Sequence, residues 1–297
     1  MASEQMTLQA YAKVNLTLEV IGKRDDGYHN VATILQTVDL ADTVTIGGAD
    51  ELVVDCDGAD LSGEVNLAWK AAAALAKRAG IVPRAHIRIE KSIPVASGLG
   101  GGSADAAAAL IGLNRLWRLG WQRQELATVA AGLGSDVPFL LTGGTALGTG
   151  RGDEITSLRE LPALEMLLVV PRASIKSKTP TMYRALRPED FSDGSKTRGI
   201  ASDLGRRVLT SGDCCNAFER AAREIFPGLA DVWNRVAEVT KHPPRLSGAG
   251  PGIYCMPSSE SERIRVAESL QGTGAGAYLV QMVCPDYNHW SATTNRT

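Results

Sequence analysis

The chain has 297 residues, a formal charge of −2, 44 % hydrophobic and 22 % charged residues. It is long enough for a large core and two domains, and its composition is that of an ordinary globular protein. With no basic stripe and no Lys/Arg run it is not a nucleic-acid binder, and with no apolar run of membrane-span length it is not a membrane protein. Five scattered cysteines without a Cys-x-x-Cys pair argue for reduced thiols in the cytoplasm and against a zinc site or disulfide framework. The opening residues carry no apolar core of a signal peptide, so none is expected.

In chain order, residues 7–10, 13–21, 32–39 and 42–47 read as strands: β-branched residues in partial alternation between Gly and Asp turns. Residues 51–56 make a fifth. An alanine-rich helix is expected over 66–79, closed by Gly80, and strict alternation over 85–90 gives a strand leading into a glycine-rich loop. Helices follow over 103–119 and 123–132, then strands near 144–148 and 165–170. Residues 187–197 are polar and read as an exposed loop. Further helices are expected over 213–223, 229–240 and 258–271, and strands over 245–247, 252–256 and 277–283. A polar tail occupies 286–297. Strands in runs, without strict βαβ alternation, indicate an α+β class, with a domain boundary near Leu161: 1–160 and 161–285.

The most informative stretch is Pro94-Val95-Ala96-Ser97-Gly98-Leu99-Gly100-Gly101-Gly102-Ser103-Ala104-Asp105. Four glycines within 98–102 permit a sharp turn with no Cβ toward a ligand. The loop feeds a helix whose unpaired N–H groups attract an anion, with Ser103 suited to the N-cap. The loop is not a dinucleotide fingerprint, because Ser103 stands where a glycine is needed and Pro94 separates it from the strand. It is not a Walker A motif either, and Gly194-Ser195-Lys196-Thr197 only imitates one, in a polar loop.

Other residues carry chemistry if they meet this loop. Lys13, in Tyr11-Ala12-Lys13-Val14-Asn15-Leu16, is either an edge-strand lysine or the occupant of a polar pocket. Asp136, in Gly134-Ser135-Asp136-Val137-Pro138-Phe139, is either a turn residue or, beside a cation, a group that takes or orients a hydroxyl proton. Asp26-Gly27 reads as a hairpin turn, while Tyr28 and His29 offer a flat face and ring nitrogens to a base. Ser247-Gly248-Ala249-Gly250-Pro251-Gly252 is either a plain strand–turn–strand or a second glycine turn closing the site. Asp105 is either a metal ligand or a carboxylate favourable to the helix dipole.

Together, residues 13–16, 94–105 and 247–252 resemble, in the same order, the three motifs of the GHMP small-molecule kinases. The strings around Lys13, Tyr28-His29 and Asp136 resemble the branch of that family that phosphorylates a cytidyl alcohol in non-mevalonate isoprenoid synthesis. The resemblance implies two domains with the active site between them, an N-terminal mixed β/α domain and a C-terminal ferredoxin-like α/β sandwich. It implies ATP and Mg²⁺, with no protein metal ligand assigned, and a small-molecule cytidyl diphosphate substrate. ATP would be held by Asn66, Lys91, Pro94, Gly98, Leu99, Gly100, Gly101, Gly102, Ser103 and Ala104. Catalysis would fall to Lys13 and Asp136, and Asn15, Tyr28, His29 and Tyr183 would hold the substrate, the cytosine lying between Tyr28 and Tyr183. No oligomeric state follows.

Overall fold

The structure is a computed structural model and describes residues 5–204 and 209–285. The tail expected over 286–297 lies outside the described residues. Two sheets organise the rest. The first is built on β1 (Gln5–Lys23) and β2 (His29–Gly47), paired antiparallel along their length. Its remaining strands are β3 (Leu52–Cys56), β4 (Ala85–Glu90), β5 (Thr145–Thr149), β6 (Glu154–Ser157) and β8 (Cys215–Asn216). The order is β3-β4-β2-β1-β8, with β5 and β6 continuing from β2. The second sheet comprises β7 (Glu165–Val170), β9 (Arg245–Leu246), β10 (Ile253–Cys255) and β11 (Gly276–Gln281), in the order β11-β7-β10-β9 of a ferredoxin-like unit.

The four strands expected before residue 50 are two long ones. Register shifts between Tyr11/Lys13, Asn15/Thr17 and Val20/Gly22 absorb the breaks that interrupt alternation in the sequence. β1 alternates buried and exposed over Gln5–Ala10, then is almost continuously buried from Ala12 to Val20. There both of its faces are covered, which is why Lys13 and Asn15 lie in the interior.

Against the first sheet pack α1 (Leu67–Ala79), α2 (Gly101–Leu116), α3 (Arg123–Ala131) and α4 (Val137–Leu140). The Asn66 side chain caps α1 through the Ala68 N–H at 2.8 Å, and Gly80 ends it in the left-handed conformation at φ 68. The alanines of α2 let that helix lie close to the sheet: a Cβ on Gly112 would stand 2.4 Å from Ile46 Cδ1. The first core therefore needs small residues on one side and Ile, Val and Leu on the other.

α5 (Lys178–Arg184), α6 (Ser195–Asp203), α7 (Glu219–Ile225), α8 (Leu229–Thr240) and α9 (Glu260–Ser269) follow. β7 divides its side chains between two cores. Leu167 and Val169 pack with Phe218, Trp233 and Val236, whereas Met166, Leu168 and Val170 join the core under the first sheet.

Three local expectations are corrected. Residues 195–197 are not loop but the start of α6, because Gly194 turns at φ 74 and Thr197 is fully buried. Thr197 binds Glu19 through its N–H and Thr17 through its hydroxyl, so polar residues here face the interior. Residues 213–218 precede α7 rather than belonging to it; Cys215 and Asn216 form β8 alongside β1, with Cys214 buried before them. Ser103 does not cap α2: the cap is Gly100, in the left-handed region at φ 77, and Ser103 lies inside the first turn. Among the described residues no helix is long and apolar enough to cross a membrane.

Candidate active site

The phosphate loop is shaped by contact of backbone with backbone. A Cβ on Gly98 would lie 2.4 Å from the Ser247 carbonyl oxygen, and one on Gly252 would lie 2.5 Å from the Ser97 carbonyl oxygen. No side chain fits at either position. The Gly252 N–H donates to the Ser97 carbonyl at 2.7 Å and the Ser247 hydroxyl to the Gly98 carbonyl at 3.0 Å. Residues 247–252 are thus a second glycine turn locked onto the first, as the closing role required.

Beyond Gly98 the loop anchors through Leu99, buried in the core, and enters α2 at Gly101. The first-turn amides of Gly101, Gly102 and Ser103 have no intrahelical carbonyl to bind and lie at the edge of a cavity. A Cβ on Gly102 would meet no protein atom within 4 Å. Its lack of a side chain serves no packing need, so the space is left for what enters the cavity. That cavity measures about 1150 Å³ and opens between the phosphate loop, the β1–β2 turn and α5. It exceeds the room one drug-sized ligand occupies, which suits two ligands side by side.

Lys13 lies at its floor. Its side chain is buried, its N–H donates to the Leu99 carbonyl at 2.9 Å, and its ammonium lies 3.2 Å from Asp136 Oδ2. Asp136 stands at the N-cap of α4, yet its carboxylate caps nothing. With about a third of its side chain exposed (35 %), it faces both the cation and the cavity. Asn15 Oδ1 accepts from Lys13 Nζ at 2.7 Å. The Asn15 amide is fixed by Thr33, which accepts from Asn15 Nδ2 at 2.8 Å and donates to the Thr17 carbonyl at 2.6 Å. Asn15 therefore positions Lys13 as well as lining the cavity.

Lys91, implied as a nucleoside contact, lines the cavity and is also tied to two carboxylates. Its ammonium bridges Asp42 Oδ2 at 2.5 Å and Asp105 Oδ2 at 2.7 Å, and Asp42 Oδ1 also accepts the Ser92 and Ile93 amides at 2.6 and 2.8 Å. Burial works against the Lys91 charge, but Asp105 and Asp42 together raise its pKa. Burial pushes Asp105 up to about 7 against the pull of Lys91, and its Oδ1 has no hydrogen-bond partner among the described residues. This cluster is the foundation of the loop. Asn66 likewise caps α1 at the cavity edge and donates to the Leu61 carbonyl at 2.7 Å. Pro94 and Gly100–Ser103 line the cavity, whereas Ala104 is buried behind them.

At the opposite end stands an aromatic wall. The Arg24–Tyr28 turn closes with the Arg24 N–H donating to the Tyr28 carbonyl at 2.8 Å and Gly27 at φ 85. The segment is a hairpin turn, and Tyr28 and His29 line the cavity. His29 stacks on Tyr183 with ring centroids 4.4 Å apart and an interplanar angle of 15°, and Tyr183 meets Phe218 edge-on at 4.9 Å. The ring stacked on Tyr183 is thus His29, whereas the sandwich implied for the cytosine pairs Tyr183 with Tyr28. Tyr28 is 54 % exposed, and the Arg151 guanidinium lies 4.8 Å from its ring centre. Burial, then Lys23, lowers the His29 pKa, which keeps the imidazole neutral at pH 7. Burial, then Asp136, pushes Tyr183 up to about 12.

Residues 66–144 match the GHMP kinases N terminal domain. A 4-diphosphocytidyl-2-C-methyl-D-erythritol kinase of Dehalococcoides mccartyi is 36 % identical over 94 % of this chain and 99 % of its own. One from Listeria welshimeri is 36 % identical over 99 % of both. A crystal structure of 4-(cytidine 5'-diphospho)-2C-methyl-D-erythritol kinase superposes with a TM-score of 0.77 at 33 % identity, covering 94 % of this chain and all of that one. The chain belongs to the GHMP kinases, in their 4-diphosphocytidyl-2-C-methyl-D-erythritol kinase family. A homoserine kinase from Cytophaga hutchinsonii, at 17 % identity and a TM-score of 0.69, shares the fold.

Within this GHMP kinase site, four groups went unread in the sequence. Asp42 is a carboxylate in a long apolar strand pair, a position worth questioning because unpaired charge is not buried there. Arg151 sits in Gly150-Arg151-Gly152-Asp153, held by Asp153 at 2.5 Å. Phe218 backs Tyr183. Lys178 opens α5 five residues before Tyr183 and reaches into the cavity wall.

Proposed function

We infer that the enzyme transfers the terminal phosphoryl group of ATP to the 2-hydroxyl of 4-diphosphocytidyl-2-C-methyl-D-erythritol, giving the 2-phosphate and ADP, in non-mevalonate isoprenoid precursor synthesis. The observation that carries this reading is the Lys13–Asp136 pair, set in one cavity between a phosphate loop and an aromatic wall. An alcohol lacking a base would give Tyr28 and His29 no reason to face that cavity, and both do.

The triphosphate lies along the Gly98–Ser103 turn, where first-turn amides and the helix dipole meet its charge. The cytidyl group rests against Tyr28 and His29, near Tyr183. The neutral His29 ring offers one donor and one acceptor to a base edge. The acceptor hydroxyl then comes beside Asp136, whose carboxylate lies 3.2 Å from the Lys13 ammonium and orients the hydroxyl for in-line attack. The new bond joins the substrate oxygen to the terminal phosphorus as the bond to the ADP oxygen breaks. The hydroxyl proton passes to Asp136 and on to water. Lys13 offsets the negative charge that gathers on the transferred group.

The Ser103 hydroxyl is an oxygen ligand in the cavity wall suited to a hard cation carried in on nucleotide phosphates. Mg²⁺ held there would neutralise part of the triphosphate charge. We place the enzyme in the cytoplasm, a reading supported by the free thiols of Cys56, Cys214, Cys215 and Cys255.

The test is ADP formation from Mg·ATP with a panel of alcohols: the cytidyl-methylerythritol substrate, homoserine, mevalonate and galactose. Turnover confined to the cytidyl compound is expected. Turnover with another alcohol would keep the kinase and discard the cytosine pocket.

A further inference from the structure

Three lysines surround the phosphate loop, and their partners differ. The Lys13 ammonium faces Asp136, and that of Lys91 lies between Asp42 and Asp105. The Lys178 ammonium instead donates to two main-chain carbonyls, Ala96 at 2.8 Å in the phosphate loop and Gly250 at 2.7 Å in the second glycine turn. Both carbonyls belong to residues in the left-handed region, Ala96 at φ 58 and Gly250 at φ 74. Lys178 thus spans the seam between the two turns. An ammonium has three donors, and among the described residues the third meets no protein acceptor.

Among the described residues no carboxylate forms an ion pair with this ammonium. Burial first, and then repulsion from Lys13, lower its pKa to about 8, with Asp136 acting the other way. It is therefore mostly protonated at pH 7. A half-buried cation whose hydrogen bonds among the described residues go to neutral carbonyls is a poor arrangement for stability. It is a good one for receiving an anion.

We propose that Lys178 binds a phosphate oxygen at the junction of the two glycine turns, from either the terminal phosphate of ATP or the diphosphate of the cytidyl substrate. The proposal rests on the kinase reading above and adds a residue to its transfer site. The competing account is mechanical: Lys178 only ties one turn to the other. Charge separates the two accounts. A glutamine at 178 keeps N–H donors for the carbonyls and loses the charge, whereas an arginine keeps both.

The experiment is calorimetric titration at pH 7 of wild type, Lys178→Met, Lys178→Gln and Lys178→Arg. The ligand pairs are ATP against ADP and CDP against cytidine, whose members differ only in their phosphates. In the Met and Gln variants the advantage of the more phosphorylated ligand should fall about tenfold or more in at least one pair, as expected for a charge-assisted hydrogen bond. The Arg variant should keep most of it. Loss in the ATP pair assigns Lys178 to the nucleotide, and loss in the CDP pair assigns it to the acceptor. A Gln variant equal to wild type in both pairs, or a uniform weakening of all four ligands, would overturn the proposal. If wild type turns over no cytidyl alcohol and binds CDP no better than cytidine, the substrate reading falls by itself. The ATP–ADP comparison would still decide for or against Lys178.

Discussion

Two lysine–aspartate clusters stand beside one cavity, built from the same groups and put to different ends. Around Lys91, Asp42 is fully buried and Asp105 nearly so, and two backbone amides complete the Asp42 hydrogen bonds. Around Lys13, the cation is buried more deeply than Lys91, but its partner Asp136 keeps about a third of its side chain open to the cavity. A closed cluster is committed to holding the loop. An open one has a carboxylate that a hydroxyl can reach. Residue types do not distinguish them; the exposure of the acidic partner does.

The contrast predicts opposite failures. The largest effect falls on activity: Asp136→Asn should lower kcat by about 10²–10⁴-fold, the span of acid–base and positioning groups. Its ATP affinity and melting temperature should stay near those of wild type, as read by calorimetry and thermal denaturation. Lys91→Met should do the reverse, because it leaves two buried carboxylates facing each other. A loss of about 3–5 kcal/mol in stability is expected. That is a melting temperature lower by on the order of 10 °C, with activity declining only as folded protein is lost.

A smaller effect sharpens the account of the loop. Gly102→Ala creates no contact within the protein and favours the helix, so stability should rise by up to about 1 kcal/mol. The added methyl enters the space kept for phosphate, so ATP affinity should drop, as titration would show. The mildest effect is on pH dependence. Lys178, facing Lys13 and Asp136 as well as the Ala96 and Gly250 carbonyls, is protonated at pH 7 and loses its charge as pH rises through about 8. The kcat/KM for ATP or for the cytidyl substrate should therefore fall on that alkaline side, and Lys178→Gln should flatten the limb.

Much of this was legible because local rules act alone. Asn66 and Gly80 bracket α1 by capping chemistry that depends on no other part of the chain. The phosphate loop declares itself through glycines that a close approach demands, and the structure supplies the approaching atoms, the Ser247 and Ser97 carbonyls. Lys13 and Asp136 were each recognised with an alternative open, since nothing local to either says that the other lies 3.2 Å away.

What escaped depends on long-range packing. Residues 195–197 look like loop because they are polar, yet Thr197 is buried against Glu19, about 180 positions earlier. The Ser103 hydroxyl matched the N-cap preference, but a glycine run gives the backbone a left-handed cap at Gly100 that needs no side chain. The resemblance points to Tyr183 at the substrate, whereas its stacking on His29 is set by how α5 docks on the β1–β2 turn. Lys178 gave no signal, since both its partners are backbone carbonyls, which every residue has.

The most direct test of the central claim is to follow Mg·ATP and the cytidyl-methylerythritol substrate by phosphorus NMR in the presence of the wild-type enzyme. One new phosphomonoester resonance, growing in step with ADP while the diphosphate signals of the substrate persist, is the predicted result. ADP accompanied only by inorganic phosphate would mean that the Lys13–Asp136 pair does not deliver the phosphoryl group to the substrate hydroxyl, and would contradict the account.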